Sequence, residues 1–262
     1  MADQLTWLGQ AGFRLEVAGL RILIDPFLSD HESRLYPPPS QESEAAEVDW
    51  LLVTHEHLDH FDKEFVATVA ARSPRATLVV PRPLADEAAQ LESGLHILGV
   101  QPGDTIELSP QVGLRVLPAW HAVEVLDGYS DGRDSTGLAR FVGYVIRTPG
   151  TSIYHSGDTI VTAELSAQLA KEHPDVALLP INGRDYYREG KGLVGNMDAR
   201  EAMQLAQETG VKILIPIHWD MWMGNTVNPG SVFDETSTGT VHVLTLARFV
   251  PLPLPAFARA DV

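Results

Sequence analysis

Three imidazoles and two carboxylates fall within six consecutive residues, His55, Glu56, His57, Leu58, Asp59 and His60, directly after the apolar run at 50–53. In a chain leaving a strand, successive side chains alternate faces, so His55 and His57 point the same way and can grip one cation. Apolar residues at Phe65, Val66, Val69 and Ala70 then recur at helical spacing. The chain is therefore expected to turn into a helix near Asp59 and His60, aiming those two at a second, adjacent ion. A lone histidine is most often a satisfied core or surface imidazole, but crowding so many such groups at the end of a buried strand is tolerated only beside an opposing charge. Metal binding is the expectation. The zincin motif also mixes His and Glu, but it needs a second His four residues after the first, and position 59 is Asp.

Composition narrows the chemistry. The 262 residues contain no cysteine, which excludes disulfides, thiolate zinc sites, iron–sulfur clusters and cysteine nucleophiles. Any metal must be held by nitrogen and oxygen. The formal net charge of −16, from 35 acidic and 19 basic residues, repels polyanions, and no run of Lys or Arg offsets it. Nucleic acid is not an expected partner, and a small-molecule substrate is. The sequence has no apolar stretch of about 18 residues or more, and the polar residues Asp3, Gln4, Arg14 and Glu16 interrupt any signal-peptide profile. A cytoplasmic protein with no membrane span is expected, compatible with a homo-oligomer. The length suits one domain over 1–262.

The elements that must position the cluster read as follows. Strands at 5–8, 13–17 and 20–24, separated by Gly9, Gly12 and Gly19, form an antiparallel meander closed by Asp25 and Pro26. The stretch 27–48, rich in Pro, Ser and Glu, reads as a loop that either carries His31 and Arg34 towards the site or lies solvated on the surface. Helices at 60–72 and 83–92 alternate with strands at 77–80 and 96–100 in βαβ rhythm. Hairpin strands at 105–108 and 114–118 follow, the second ending near Trp120 and His121. A polar loop at 128–136 leads to strands at 139–147 and 152–155, the latter running into Ser156, Gly157 and Asp158. A helix after Ile160, a strand at 176–181, a loop at 182–196, a helix at 198–208 and a strand at 213–217 ending at His218 repeat the pattern. A last strand at 241–246 precedes a proline-punctuated tail. Two halves, each a mixed sheet flanked by helices, imply an α/β (α+β) fold: a four-layer αββα sandwich.

Strand ends in α/β sheets converge on one crevice. Counted as ligands, His55, His57 and His121 bind one ion, Asp59, His60 and His218 a second, and Asp158 bridges them, paired ions lying roughly 3.5–4 Å apart. On these residues the sequence resembles the metallo-β-lactamase fold superfamily of dinuclear hydrolases. Trp7-Leu8-Gly9, Thr54, Tyr154-His155-Ser156-Gly157-Asp158 and Ile215-Pro216-Ile217-His218-Trp219-Asp220 further resemble the L-ascorbate-6-phosphate lactonase-like branch. Flavodiiron oxygen reductases of this fold carry Glu at the second motif histidine, here His57, and the best-known class B β-lactamases use a cysteine ligand that this chain lacks.

The cofactors expected are two divalent metal ions, Zn or Mn. Affinity order favours zinc and the lactonase resemblance implies manganese. A water shared by both ions ionises near neutrality and attacks the substrate, with Asp59 orienting it. His155 either protonates the leaving group or supports Asp158. Asp25 reads as a turn residue or a carboxylate behind a ligating histidine. Arg34, Arg184, Tyr186, Tyr187, Asn196 and Trp219 are assigned to the substrate pocket, with Arg34, Arg184 or Arg188 able to meet one phosphate. Trp222 and Met223 read as core or interface. The expected reaction is opening of a small lactone or ester, a phosphorylated sugar acid among the candidates. A metal-dependent phosphodiesterase or a non-catalytic metal scaffold are the alternatives.

Overall fold

The computed structural model describes residues 3–91, 93–121, 132–192, 194–235 and 240–257. The first sheet begins with the expected meander, β1 (Gln4–Gly9), β2 (Gly12–Val17) and β3 (Leu20–Ile24), paired antiparallel. The segment 27–48 is irregular except for the four-residue helix α1 (Gln41–Glu44). Then β4 (Trp50–Leu52), α2 (Lys63–Arg72), β5 (Thr77–Pro81), α3 (Ala85–Gln90) and β6 (His96–Val100) follow, with β3 to β6 parallel. Helix α2 starts three residues later than its periodicity suggests. Asp62 caps it by accepting from the Phe65 amide, so residues 57–61 stay a tight turn in which His60 and Phe61 donate to the His57 carbonyl.

The second sheet holds the antiparallel strands β7 (Thr105–Ser109), β8 (Val112–Pro118), β9 (Val142–Arg147) and β10 (Ser152–His155). Past α4 (Ala163–Glu172), the strand β11 (Val176–Pro180), the helices α5 (Tyr186–Lys191) and α6 (Ala199–Glu208) and the strand β12 (Ile213–Ile217) continue it in parallel. The helix α7 (Ser231–Asp234) and the two-residue strand β13 (His242–Val243) complete this half. Much of the stretch read as a polar loop, 128–131, lies outside the described residues. The tail is not structureless: β14 (Pro251–Pro253) pairs antiparallel with β1. Two prolines are admissible there because β14 is an edge strand.

Each sheet has seven strands, in the orders β14-β1-β2-β3-β4-β5-β6 and β13-β12-β11-β10-β9-β8-β7. Period-two alternation sorts the side chains into layers. Ile22, Ile24 and Leu52 of the first sheet meet Val116, Tyr144, Ile146, Ile153, Leu178 and Ile215 of the second in a central core. The alternate residues Leu23, Leu51 and Val53 face outward onto Phe65, Val66 and Val69 of α2. On the other side Val145, Tyr154, Ala177 and Leu214 face Leu165 and Leu169 of α4 and Ala202, Met203 and Ala206 of α6. This is the αββα sandwich expected from the sequence. Both β4 and β12 stop at one edge of the sandwich, and that edge carries the polar cluster.

Candidate metal centre

Seven side chains converge where the strands end. His55, His57, His121 and Asp158 place one donor atom each within 4.8 Å of one another, and so do Asp59, His60 and His218. The first sheet supplies the four residues that follow β4. The second supplies His121 beyond β8, Asp158 beyond β10 and His218 directly after β12. His55 Nε2 lies 3.0 Å from His57 Nδ1, and His60 Nε2 lies 3.4 Å from His218 Nε2. Asp158 reaches both groups: Oδ1 is 3.4 Å from His60 Nε2 and 3.3 Å from His218 Nε2, while Oδ2 is 3.5 Å from His121 Nε2. That Oδ1 is buried and has no hydrogen-bond partner. A buried carboxylate oxygen without a donor is costly, and a cation among these nitrogens would satisfy it. The donor set, imidazole and carboxylate only, fits divalent zinc or manganese.

The groups behind the cluster fix which nitrogens face it. The Thr54 hydroxyl gives its one hydrogen to Asp25 Oδ2 at 2.6 Å, so at 3.0 Å it must accept from His55 Nδ1–H. His60 Nδ1 donates to the same Asp25 oxygen at 2.7 Å, and His121 Nδ1 donates to the Gly195 carbonyl at 2.6 Å. All three rings therefore present Nε2. Asp25 is fully buried and also accepts the Thr54 amide at 2.8 Å through Oδ1. A Cβ on Gly195 would lie 2.7 Å from the His121 ring, so that backbone must be glycine to come so close. Three residues here sit in the left-handed region although none is glycine: Gln10 at φ 52°, Asp25 at 42° and His218 at 63°. Such strain persists only where the surroundings over-determine it.

The electrostatics separate the histidines into two kinds. Burial holds His55 well below the ordinary imidazole range, aided by the neighbouring His60. Burial also lowers His121, and burial with the neighbouring His121 pushes His57 down to about 4. These three are neutral and ready to coordinate. For His60 burial works the same way, but Asp158, Asp25 and Asp59 outweigh it and raise its pKa well above the usual value. His218 is raised too, since Asp158 and Asp59 overcome its burial. The carboxylates of Asp59 and Asp158 resist burial and are held low by His60 and His218.

A cavity of about 490 Å³ opens onto the cluster, lined among others by Leu58, Asn182, Arg188, Asn196, Trp222 and Asn225. Asn196 lines it as anticipated. Other residues assigned to the pocket from sequence point elsewhere. Arg34 donates into the carbonyls of Phe27 and Ser29 within its own loop. Arg184 pairs with Glu201 at 2.8 Å, and Tyr186 is 97% exposed on α5 without lining the cavity. Trp219 stacks behind the site on Trp7 at 5.1 Å. The Tyr187 side chain lies outside the described residues. His155 is also turned away: its Nε2 donates to the Ala11 carbonyl at 2.7 Å and its Nδ1 accepts the Gly157 amide, leaving no nitrogen for a leaving group. His31 packs edge-on against Trp222 at 5.1 Å rather than entering the cavity. Trp222, read from sequence as core or interface, instead forms a wall and donates its indole N–H to Asp59 Oδ2 at 3.0 Å. Gln10 was missed although a buried polar residue between Gly9 and Gly12 was a visible signal; its amide donates to the same oxygen at 2.8 Å.

A sandwich of two sheets with a histidine–carboxylate cluster across one edge defines a metal-binding α/β fold. Residues 20–219 match the model of the beta-lactamase superfamily domain, and the chain belongs to that superfamily. It is similar to a UPF0173 metal-dependent hydrolase of Caldivirga maquilingensis, 31% identical over 91% of this chain and 92% of that protein. A second protein of that description, from Pyrococcus furiosus, is 34% identical over 86% of this chain and 88% of its own length. Among solved structures, the fold matches Igni18, a metallo hydrolase from Ignicoccus hospitalis, with a TM-score of 0.71 at 22% identity over 96% of this chain and 98% of that one. None of these names specifies a lactone. Among the described residues no helix is long and apolar enough to cross a membrane.

Proposed function

We propose that the chain is a metal-dependent hydrolase with two divalent ions, one among His55, His57 and His121, the other among Asp59, His60 and His218, with Asp158 between them. The observation that carries this reading is the Asp158 carboxylate, whose two oxygens face different imidazole groups and whose Oδ1 is buried without a donor. When bound, such a pair of ions supplies a nucleophilic hydroxide at neutral pH and a positive centre for the oxygen that gains charge in the transition state. The chain's own residues hold the donors in place, present Nε2 rather than Nδ1 from three rings, and wall the site with Leu58 and Trp222.

The substrate we infer is a small lactone or carboxylic ester bearing an anionic group, such as a phosphorylated sugar acid, in keeping with the lactonase-like motifs. Arg188 is the one arginine lining the cavity among the described residues; one of its Nη atoms pairs with Asp185 and the other donates to Asn225, which also accepts from Asn182 at 3.0 Å. Asn182 in turn accepts from Asn196 at 3.1 Å. Because a guanidinium can only donate, this amide ladder has a fixed polarity and a fixed anchor. One arginine suits one small anion and not a polyanion approaching a chain of net charge −16.

Elemental analysis of the purified protein is expected to give close to two divalent ions per chain. A panel of lactones, aryl esters, phosphomonoesters and phosphodiesters is expected to show turnover that chelation abolishes, best on a lactone or ester. Cleavage of RNA or bis(p-nitrophenyl) phosphate with no activity on any lactone or ester would establish the phosphodiesterase instead. Inertness on every class with both ions present would leave only a scaffold.

A further inference from the structure

Asp59 sits in the metal cluster, yet one of its two oxygens is already engaged. The Gln10 side-chain amide donates to Oδ2 at 2.8 Å and the Trp222 indole donates to the same Oδ2 at 3.0 Å. A carboxylate oxygen has two lone-pair sites, so these two N–H groups saturate it. His218 Nε2 also lies 3.3 Å from Oδ2, which adds to the crowding on that side. The other oxygen, Oδ1, faces His60 Nε2 at 3.9 Å.

Both donors are themselves held from behind. The Gln10 backbone N–H donates to Asp220 Oδ1 at 3.0 Å, and the Gln10 backbone carbonyl accepts from the His218 amide at 3.1 Å and the Trp7 indole at 3.1 Å. Asp220 is in turn paired with Arg248 at 2.9 Å. The Gln10 Nε2 also lies 3.1 Å and 3.2 Å from the two nitrogens of the His218 ring. The left-handed backbone at Gln10 turns its side chain inward, and it is buried to within 1%. Trp222 is gripped between Phe27 at 5.4 Å and His31 at 5.1 Å.

We propose that Gln10 and Trp222 are positioning residues that clamp Asp59 by Oδ2, so that Asp59 turns Oδ1 towards the second ion. The inference rests on the two-ion reading above, and it narrows the part that Asp59 plays in it. Within the cluster, the hydrogen bonds of these two residues fall on Asp59 and His218, members of the second group of donors. The clamp therefore acts on one ion and not on the other.

Two variants remove the donor. Gln10→Glu is nearly isosteric but turns a donor towards Asp59 into a like charge, and Trp222→Phe keeps an aromatic ring without the N–H. Zinc titrated into chelator-stripped protein against a competing chelator is expected to show one ion bound as in wild type. The other should be weakened about 10- to 100-fold, the range for loss of a group supporting a ligand. If both variants bind both ions as wild type does, or lose both ions equally, the clamp is refuted. A second measurement does not depend on metal: in the metal-free protein, the Trp222 indole and Gln10 amide proton resonances are expected to move when Asp59 is replaced by Ala. Unmoved resonances overturn the proposal even if the wild-type protein binds two ions. Shifted resonances in a wild type that binds one ion would uphold the clamp and sink the two-ion reading.

Discussion

Asp25 is the carboxylate on which most of the support behind the cluster depends, and Asp25→Asn isolates it. The substitution keeps the shape, and Asn tolerates the left-handed backbone at φ 42°. It replaces two acceptor oxygens by one. In the native chain three donors converge here, the Thr54 amide at 2.8 Å, the Thr54 hydroxyl at 2.6 Å and His60 Nδ1 at 2.7 Å, all fully buried. With one oxygen, at least one of these donors faces an amide N–H. A buried donor left unsatisfied costs about 1–3 kcal/mol, and more where charge is involved, so roughly 2 kcal/mol is a minimum with the His60 charge partner also gone. For a chain of this size that corresponds to a fall of roughly 4–8 °C in the melting temperature of chelator-stripped protein. The second ion, held through His60, should bind about 10- to 100-fold more weakly. Thermal unfolding and a zinc competition titration measure the two effects separately. A variant whose melting temperature and zinc affinity both match wild type would show that Asp25 is only a turn residue before Pro26.

Asp59→Asn should abolish turnover while circular dichroism stays near wild type, because the side chain keeps its volume and an oxygen to accept from Gln10 and Trp222; retained activity would remove Asp59 from the machinery. Arg188→Ala should lower kcat/KM for an anionic ester about 10- to 100-fold, the value of a charge-assisted hydrogen bond, and leave a neutral ester unchanged; equal losses on both would argue against an anion grip. The metal-free protein should be most stable near roughly pH 6.5, the ordinary imidazole value. Below it, His55, His57, His121 and His155, whose pKa values are depressed chiefly by burial, take up protons on unfolding. Above it, His60 and His218, whose raised pKa values keep them charged in the fold, release protons on unfolding, so stability falls again. A melting temperature that climbs steadily from pH 5.5 to 8.5 in the presence of chelator would contradict this assignment.

The centre itself could be read from sequence because its signals are local. His55 to His60 carry their spacing within one turn, and His121, Asp158 and His218 each follow an apolar run that could hardly be anything but a strand. Strand ends were therefore predictable in position and in side. Side-chain direction on loops was not. Arg184 and Tyr186 lie near the cavity in sequence but point to Glu201 and to solvent, whereas Arg188, nearby on α5, reaches Asn225. The Gly, Tyr and Arg content of 182–196 concealed that helix, whose cap is the Asp185 side chain. His155 looked catalytic by proximity to Asp158, yet alternation along β10 and a carbonyl at Ala11 decide where its ring goes. Pro251 and Pro253 argued against a strand, and did so correctly for every position except an edge.

The donors are divided between the sheets, four from the strand–turn after β4 and three from the ends of β8, β10 and β12. An ion held by both contingents is thus a rivet between two layers that meet through an apolar core and a few hydrogen bonds at this same edge, and its grip counts towards cohesion of the whole sandwich. At a free concentration one hundred times its dissociation constant, a ligand specific to the folded state adds about 2.7 kcal/mol. Resistance of this protein to heat and proteolysis should then track the metal supply of its surroundings, with starvation for zinc or manganese loosening the two layers from the open edge inward.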